Sequence, residues 1–280
     1  MTLIIQKPTG AKLVMASTYQ GAAVSDPDAQ TYLRAVENAD NQGPLEQGVQ
    51  QAVNQFVIGC KSDGIWTAIK ASCILAGART LTGALVPLVG TAPTNNNFVS
   101  GDYNRKTGLV GDGSTKYLNS NRNNNVDPQN SKHIAVFPTS AATGGTYFNS
   151  GPPNTAGRTG IAFTLSAPNE TTAQTSINSL SPFDSSGNIA NAAAANKLMG
   201  LARSSASDFV ARFNSTNTTA SLASTTPNNG NITLYARPAS PVDLYSSARF
   251  AFYSIGESLD LALLDARVTD LINAIGAAIP

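Results

Sequence analysis

The sequence predicts a mainly β protein, a sandwich or barrel with helices at both ends. Between about residues 71 and 255, short runs of Val, Ile, Phe, Tyr and Thr alternate with clusters of Asn, Gly, Ser and Pro. This is the pattern of many strands joined by turns. Residues 26–58 and 256–280 instead repeat apolar side chains at helical spacing. The length of 280 residues suits one all-β domain with such additions.

Residues 1–25 are predicted to form a docking arm. Two extended runs, Thr2–Gln6 and Lys12–Met15, flank a turn at Pro8–Gly10. Because an isolated hairpin is marginal in water, this arm is expected to pack on its own domain or on another chain.

Residues 26–58 form the predicted helical segment. Asp26 and Pro27 supply an N-cap and a first turn, and Asn41–Pro44 ends the first helix. The second helix is predicted to begin at Pro44 and to stop at Gly59. One stripe of it carries Leu45, Val49, Val53 and Phe56. This stripe either lines a seam between copies of the chain or packs on its own sandwich.

A short third helix is predicted after Ser62, with Ile65, Trp66 and Ile69 on its apolar face. Trp66 is interpreted as a core anchor because of its large apolar area. The strands that follow are predicted at residues 71–75, 109–110, 115–118, 134–137, 146–148, 160–165, 198–202, 209–213, 232–236 and 248–254.

The clearest helix is predicted at the end of the chain, from residues 256–258 to Gly276. Its apolar stripe is formed by Leu261, Leu264, Val268, Leu271, Ile272 and Ile275. Its other sides carry Asp260, Asp265, Arg267 and Asp270. Such a stripe is typical of a helix packed on a sheet.

Charged residues make up only 12% of the chain, and 18 Lys and Arg balance 17 Asp and Glu for a net charge of +1. This balance argues against a protein that binds nucleic acid or membranes by electrostatic attraction, and near-neutral chains associate readily. The longest apolar-leaning segment, residues 71–90, is interrupted by polar side chains and Pro87, so no membrane insertion is expected. The N-terminal residues lack a signal-peptide pattern, which predicts synthesis in a cytoplasm.

Few residues are suited to catalysis or to metal binding. Cys60 and Cys73 are expected to be reduced core residues, because two thiols neither build a disulfide framework nor complete a zinc site. His133, the only histidine, is expected at a strand end rather than in a catalytic triad. The sequence therefore predicts no catalytic residues, no metal ligands and no cofactor.

Three further patterns in the sequence bear on chemistry. Residues 108–116 do not form a phosphate loop, because the lysine comes last and a β-type run follows, so Asp112–Gly113 is predicted as a tight turn between two strands. The predicted strands lack the pair of carboxylates that a glycosidase needs. Glu37 and Glu46 are expected in helices, Glu170 in a loop and Glu257 at a helix start. Five oxygen-bearing residues without ordered calcium spacing are interpreted as solvated loop residues: Asp102, Asn104, Asp112, Asn119 and Asn121.

Three segments resemble one protein family. They are Cys60–Trp66, Gly111–Leu118 with its Gly-Asp-Gly-Ser-Thr-Lys-Tyr-Leu run, and Phe250–Gly256 leading into the last helix. They resemble the concanavalin A-like, laminin-G-like jelly roll of bacteriophage tail fibres and related particle proteins. In that family a helix precedes the sandwich, such a strand lies early, and the terminal strand leads into a closing helix. The resemblance covers about residues 59–280.

The resemblance implies a virion structural protein, most simply a tail fibre or fibre-like appendage subunit that displays a lectin-like domain for host attachment. The implied division is an arm (1–25), a helical segment (26–58) and a jelly-roll sandwich (59–280). The implied partners are other virion proteins of the tail, baseplate or head, bound through the arm, and a host-surface glycan. A homo-oligomer, with a trimer favoured, is also implied. The alternatives are a capsid decoration or cement protein and, less favoured, a polysaccharide-degrading enzyme.

The resemblance does not assign ligand-binding residues. Concanavalin-type lectins hold calcium through paired acidic and Asn residues, and this pattern has no position-by-position match in the sequence. The sequence therefore does not identify glycan-binding residues.

Overall fold

The computed structural model describes residues 24–140, 144–163, 173–179, 188–189 and 195–280. The helices are α1 (Pro27–Asp40), α2 (Gln47–Ser62), α3 (Leu81–Ala84) and α4 (Leu261–Ala278). The strands are β1 (Ile69–Ile74), β2 (Thr94–Asn96), β3 (Tyr103–Asn104), β4 (Gly108–Val110), β5 (Tyr117–Asn123), β6 (Lys132–Ser140), β7 (Gly145–Asn149), β8 (Arg158–Phe163), β9 (Ala173–Ser179), β10 (Asn188–Ile189), β11 (Met199–Arg203), β12 (Phe209–Phe213), β13 (Thr216–Ala220), β14 (Asn231–Leu234) and β15 (Arg249–Gly256). The predicted arm lies outside the described residues except for Val24 and Ser25, and Glu170 lies outside them too.

The described strands form two antiparallel sheets. The first sheet has the order β13-β12-β11-β6-β15-β4-β3, with β1 beside β15. The second sheet has the order β10-β9-β8-β7-β14-β5-β2. The predicted fold class is confirmed: the chain is a mainly β, jelly-roll-like sandwich with helices at both ends.

An apolar core fills the space between the sheets. The ring of Phe250 on the first sheet lies 4.8 Å from that of Tyr147 on the second sheet and 4.3 Å from that of Tyr235, which follows β14. All three rings are fully buried. Aromatic pairs at these separations add to the hydrophobic stabilisation of a core, so these rings help to hold the two sheets together.

The helices α1, α2 and α4 cover the outer face of the first sheet. Phe56 of α2 contacts Phe252 of β15, with ring centroids 5.6 Å apart. Strand β15 is therefore buried on both faces, with Phe250 and Tyr253 toward the second sheet and Phe252 toward the helices. Burial on both faces explains its nearly unbroken apolar sequence.

The stripe predicted on α2 packs on the chain's own sandwich. Its four apolar side chains are buried in the helical layer: Leu45, Val49, Val53 and Phe56. A seam between copies built from these residues is thus excluded, because they are already covered by the same chain. The oligomeric state stays a prediction.

The first helix matches its prediction, whereas neither end of the second does. The carboxylate of Asp26 accepts hydrogen bonds from the backbone N–H groups of Asp28 and Ala29, and Asn41 ends α1 in a left-handed conformation. Helix α2, however, starts at Gln47 and runs past Gly59 to Ser62. A Cβ at position 59 would lie 2.7 Å from Nε of Arg267. Gly59 therefore permits a close approach of α4 rather than ending a helix.

The predicted third helix was wrong. Residues 66–68 form one 3-10 turn, and Ile69 begins β1, where it pairs with Gly256 of β15. Trp66 packs against the helical core but is only half-buried, and the Lys61 ammonium lies 5.7 Å from its ring. Pairing with β15 decides the conformation of this segment, which local spacing alone does not reveal.

The last helix also differs in its ends and in one side chain. It begins after Asp260, whose carboxylate accepts the Ala262 N–H at 2.7 Å, and it passes through Gly276. Asp265, predicted on an outer side, is buried and pairs with Arg212 at 2.8 Å. The predicted apolar stripe is buried throughout: Leu261, Leu264, Val268, Leu271, Ile272 and Ile275.

Candidate functional site

An uncharged cleft of about 480 Å³ opens on the outer face of the second sheet. Its floor comes from β5 and β14, where Tyr117, Asn119 and Thr233 alternate with the core residues Leu118 and Leu234. Its walls come from residues 150–155, residues 228–230 and residues 238–242. Asn231 of β14 also lines the floor. We call this cleft the amide cleft.

Two loops meet tightly at one wall of the amide cleft. The Asn228 side chain donates to the Ser150 carbonyl oxygen at 2.6 Å and accepts from the Ser150 hydroxyl at 2.7 Å. A Cβ on Gly230 would lie 2.3 Å from the same Ser150 carbonyl oxygen. Glycine is therefore required at position 230, since any side chain would push the two loops apart.

A buried polar cluster supports this wall from behind. The amide of Asn124 is fully buried and donates to Asn228 Oδ1 at 2.8 Å. The Lys132 ammonium donates to the Asn124 carbonyl oxygen at 2.8 Å and to Asp127 at 3.1 Å. Asp127 also receives hydrogen bonds from the Arg122 guanidinium. The wall therefore rests on a hydrogen-bonded framework that continues into the end of the sandwich.

Opposing electrostatic effects act on the charges in this cluster. Burial by itself raises the pKa of the Asp127 carboxyl, but the Arg122 hydrogen bond and the positive charge of Lys132 lower that pKa overall. Burial lowers the pKa of Lys132, and Asp127 opposes part of that shift. The three residues are thus a mutually dependent ion group.

The opposite wall is a loop closed at its base. Arg237 and Asp243 exchange two backbone hydrogen bonds, of 2.9 and 3.2 Å, and their side chains form an ion pair with one contact of 2.7 Å. Beside this base, Tyr235 and Leu244 have φ values of 69° and 46°, in the left-handed region that non-glycine residues rarely adopt. Strained backbone of this kind persists where the surrounding structure holds it. The closed loop holds Pro238, Ala239 and Val242 against the cleft.

The amide cleft presents hydrogen-bonding groups that the described protein does not use. Within the described ranges, no hydrogen bond engages the Tyr117 hydroxyl, the Asn231 side-chain amide or the Thr155 hydroxyl. An amide supplies both donors and acceptors, and a tyrosine adds an apolar ring beside its hydroxyl. No charged side chain lies among the residues that line the cleft. The arrangement suits an uncharged ligand rich in hydroxyl groups and apolar C–H faces.

The residues weighed for calcium do not assemble into one site. Asp102 pairs with Lys116 at 2.6 Å, and Asn104 accepts the N–H groups of Lys106 and Thr107. Asn121 donates to the Ala92 carbonyl oxygen at 2.9 Å. Of the five residues considered, only Asn119 lines the amide cleft. In the part of the chain that the structure describes, no group of three or more His, Cys, Asp or Glu residues could hold a metal ion.

Asp112 caps a turn, as the sequence predicts. Its carboxylate accepts the N–H groups of Ser114, Thr115 and Lys116, and although burial raises its pKa, these bonds and the Thr115 hydroxyl lower it overall. The turn connects β4 of the first sheet to β5 of the second, so it joins two sheets rather than two strands of one hairpin.

The histidine and the cysteines are structural. His133 is fully buried, and burial lowers its pKa to about 4. Its Nδ1 lies 2.6 Å from the Glu257 carbonyl oxygen, which only accepts, so Nδ1 carries the proton and Nε2 accepts from the Ser254 hydroxyl at 2.7 Å. Cys60 and Cys73 are buried and free, and burial raises the pKa of each thiol to about 12. The predicted burial of both cysteines is confirmed, and the raised pKa of each thiol disfavours the thiolate at neutral pH.

Sequence reasoning missed the amide cleft. Tyr117, Ser150 and Asn231 lie far apart in the chain, and only the pairing of β14 with both β5 and β7 brings them together. The available signal was the segment Pro227-Asn-Asn-Gly-Asn231 directly before a strand, where several amides and a glycine precede an apolar run. None of the helices in the described residues has the length and apolar character of a membrane-spanning segment.

No family model matches the chain, and no curated protein matches it. Among solved structures, the chain is similar to a mutant of HCR/D, with a TM-score of 0.46 and 10% identity over 72% of this chain and 52% of that chain. It is similar to the botulinum neurotoxin serotype D binding domain, with a TM-score of 0.43 and 11% identity over 72% and 51% of the two chains. It is similar to domains LG4-5 of the mouse laminin alpha1 chain, with a TM-score of 0.34 and 13% identity over 63% and 47%. The chain spans about half the length of these three chains.

Proposed function

We propose that the chain is a binding protein that recognises a glycan in the amide cleft. The observation that carries the proposal is the convergence of the Tyr117 ring, the Asn231 amide and the Thr155 hydroxyl in one uncharged cleft of about 480 Å³. Sugar hydroxyls both donate and accept hydrogen bonds, as side-chain amides do, and the C–H faces of a sugar ring pack on aromatic side chains. The cleft contains no carboxylate among its lining residues, which favours binding over hydrolysis.

The cleft and the helical layer lie on opposite sides of the sandwich. The helices cover the outer face of the first sheet, whereas the cleft opens on the outer face of the second. Val24, the first described residue, packs against the helical core, on the side of the sandwich away from the cleft. Attachment to a larger assembly through the helical side would leave the cleft facing outward.

We propose further that the chain belongs to a bacteriophage particle, as a tail fibre or fibre-like appendage subunit that attaches to a host-surface glycan. This assignment draws on the sequence resemblance to phage fibre proteins and on the opposed positions of the helical layer and the cleft. Display of several copies, with a trimer favoured, would raise the strength of weak contacts through avidity. Antibody labelling of intact particles tests it: label on the tail supports the assignment, whereas label on the head supports a decoration protein instead.

Replacing Tyr117 or Asn231 with alanine is expected to weaken glycan binding by at least about tenfold, because each change removes contacts that the bound sugar would make in the cleft. The measurement is the binding of polysaccharide extracted from the host surface to the immobilised full chain. Asn273→Ala, which removes an exposed amide on α4, is the matched control and should bind like the unmodified protein. Thermal unfolding of each variant shows that the fold is retained.

Unchanged binding by both Tyr117→Ala and Asn231→Ala would exclude the cleft as the glycan site. The polysaccharide-degrading alternative is tested in the same samples, because hydrolysis releases new reducing ends. Binding without reducing ends supports the proposed function.

Deletion of residues 1–15 is expected to abolish incorporation into particles while glycan binding in solution persists. The physical reason is that the arm is the proposed attachment segment, and Val24 near its end packs in the helical layer on the side away from the cleft. The measurement is the particle-bound fraction of the truncated protein, detected by immunoblot after purification of the particles. Incorporation at the level of the full chain would contradict the role of the arm.

A further inference from the structure

We infer that the amide cleft selects an uncharged glycan and holds it without a metal ion. This inference rests on the proposed function, because it concerns the ligand of the same cleft. It narrows the ligand to neutral sugars. It also means that this cleft would bind its sugar without the calcium ion on which concanavalin-type lectins depend.

The charges near the cleft are already neutralised or buried. The described strands of the second sheet carry charge only at Arg122 and Arg158. Arg122 is bound to Asp127, and Arg158 is only 1% exposed and donates to the Pro152 carbonyl oxygen. At the other wall, Arg237 is paired with Asp243. No cation among the described lining residues is therefore presented to a ligand.

An acidic sugar would lose solvation in this cleft without gaining a counter-ion. Transfer of a carboxylate or sulfate out of water is costly unless a charged or strongly hydrogen-bonding partner replaces the water. Neutral hydroxyl groups carry a much smaller cost, and the Asn231 amide and the Tyr117 hydroxyl can replace their water contacts. The difference favours neutral glycans.

The donor set does not fit calcium either. Calcium takes six to eight oxygen ligands, usually with carboxylates among them. The lining residues offer amide, hydroxyl and carbonyl oxygens only. The carboxylates that precede β5 are engaged elsewhere: Asp102 with Lys116 and with the Val99 N–H at 2.8 Å, and Asp112 with its own turn. The described residues therefore do not favour a bound cation that bridges the protein and the glycan.

The test is an array of defined neutral and acidic oligosaccharides, the latter carrying uronic acid, sialic acid or sulfate, probed with the full chain in calcium chloride and in EDTA. Neutral glycans are expected to bind at least about tenfold more tightly than acidic analogues of the same core, and EDTA should change affinity by less than about twofold. Equal or tighter binding of acidic glycans, or loss of binding in EDTA, would overturn the inference. If the unmodified chain binds acidic glycans and Asn231→Ala loses that binding, the inference fails but the proposed function stands. If the chain binds no glycan, the inference and the proposed function both fail.

A charge introduced into the cleft gives a second measurement on the same array. Asn231→Lys places a cation at the floor of the cleft. The ratio of its affinity for acidic glycans to its affinity for neutral glycans is therefore expected to rise by about tenfold or more. Asn273→Lys adds the same charge on α4 and should leave the neutral preference unchanged. An unchanged preference in Asn231→Lys, with thermal unfolding like that of the unmodified chain, would contradict selection by cleft charge.

Discussion

Asp127→Asn is expected to destabilise the protein by about 3 to 5 kcal/mol, the cost typical of removing one partner from a buried ion group. Asp127 is 3% exposed and Lys132 is fully buried, so Lys132 would lose its counter-ion where water cannot replace it. Arg122 would lose its carboxylate partner at the same time. The measurement is the free energy of unfolding from denaturant titration.

Glu257→Gln is the matched control for this loss of charge. Its ion pair with Lys70 has a distance of 2.9 Å, but the two side chains are 42% and 34% exposed. Removal of an exposed pair typically changes stability by less than about 1 kcal/mol. If Asp127→Asn were as mild as Glu257→Gln, the ion group would not support the fold as described.

A double variant separates the lost carboxylate from the stranded ammonium. Asp127→Asn combined with Lys132→Met removes both charges and keeps an apolar stem in the position of the lysine. Replacement of a buried ion pair by neutral groups is often far milder than removal of one partner. The double variant is therefore expected to be more stable than Asp127→Asn alone, although Arg122 still lacks its partner.

Acidification from pH 6.5 to 4 is expected to lower stability by about 3 kcal/mol through His133 alone. In the unfolded chain the imidazole titrates near 6.5, whereas in the fold burial lowers its pKa to about 4, against a smaller opposing effect of the Glu257 carbonyl. As pH falls through this window, the unfolded chain binds a proton that the folded chain does not. Stability is therefore full above pH 6.5 and declines toward pH 4.

The histidine effect can be separated from that of the carboxylates. Nearby charges act on His133 in opposite senses, since Asp127 raises its pKa while Lys132 and Arg122 lower it. Asp26 and Asp127, whose pKa values are lowered, lose their contributions mainly below pH 4. His133→Asn should flatten the stability profile between pH 4 and 6.5.

Because His133 is the only histidine, its imidazole proton resonance can be followed without ambiguity. The resonance should not titrate above about pH 5 in the folded protein. A midpoint near 6.5 would contradict the buried, neutral imidazole.

The sequence predicted the helices and the apolar strands because their periodicity is local. Leu264, Val268 and Leu271 recur at helical spacing and are buried as expected. Prediction failed where distant contacts decide the outcome. Ile69 continues the apolar spacing of a helix but pairs with β15, and Gly59 resembles a helix stop but allows Arg267 to approach.

The polar strands were missed for another reason. Strand β9 has a mostly hydrophilic sequence, yet it is almost entirely buried, and the Ser176 hydroxyl donates to the Arg158 carbonyl oxygen at 2.8 Å. Strand β13 is mostly Thr and Asn at the edge of its sheet. Strand prediction relies on apolar alternation, so neither segment carries the signal.

The cleft was missed because its residues come from four separate parts of the chain.

The residues that line the cleft are uncharged, although ion pairs lie behind both of its walls. The second sheet displays amides and hydroxyls around the cleft, whereas ion pairs such as Lys61–Asp26 and Arg267–Asp63 lie in the helical layer. Uncharged polar groups keep a surface hydrated without imposing a net field on a ligand. The low charge of the composition therefore agrees with the uncharged lining of the cleft.

Hydrogen–deuterium exchange of the full chain, with and without saturating host polysaccharide, tests the central claim most directly. Bound glycan should slow exchange in peptides that cover residues 117–121, 150–155 and 228–242, because binding stabilises these loops against local opening. Peptides from α4 should exchange at unchanged rates. Protection confined to the helices, or absent everywhere at saturation, would contradict the assignment of the amide cleft as the glycan site.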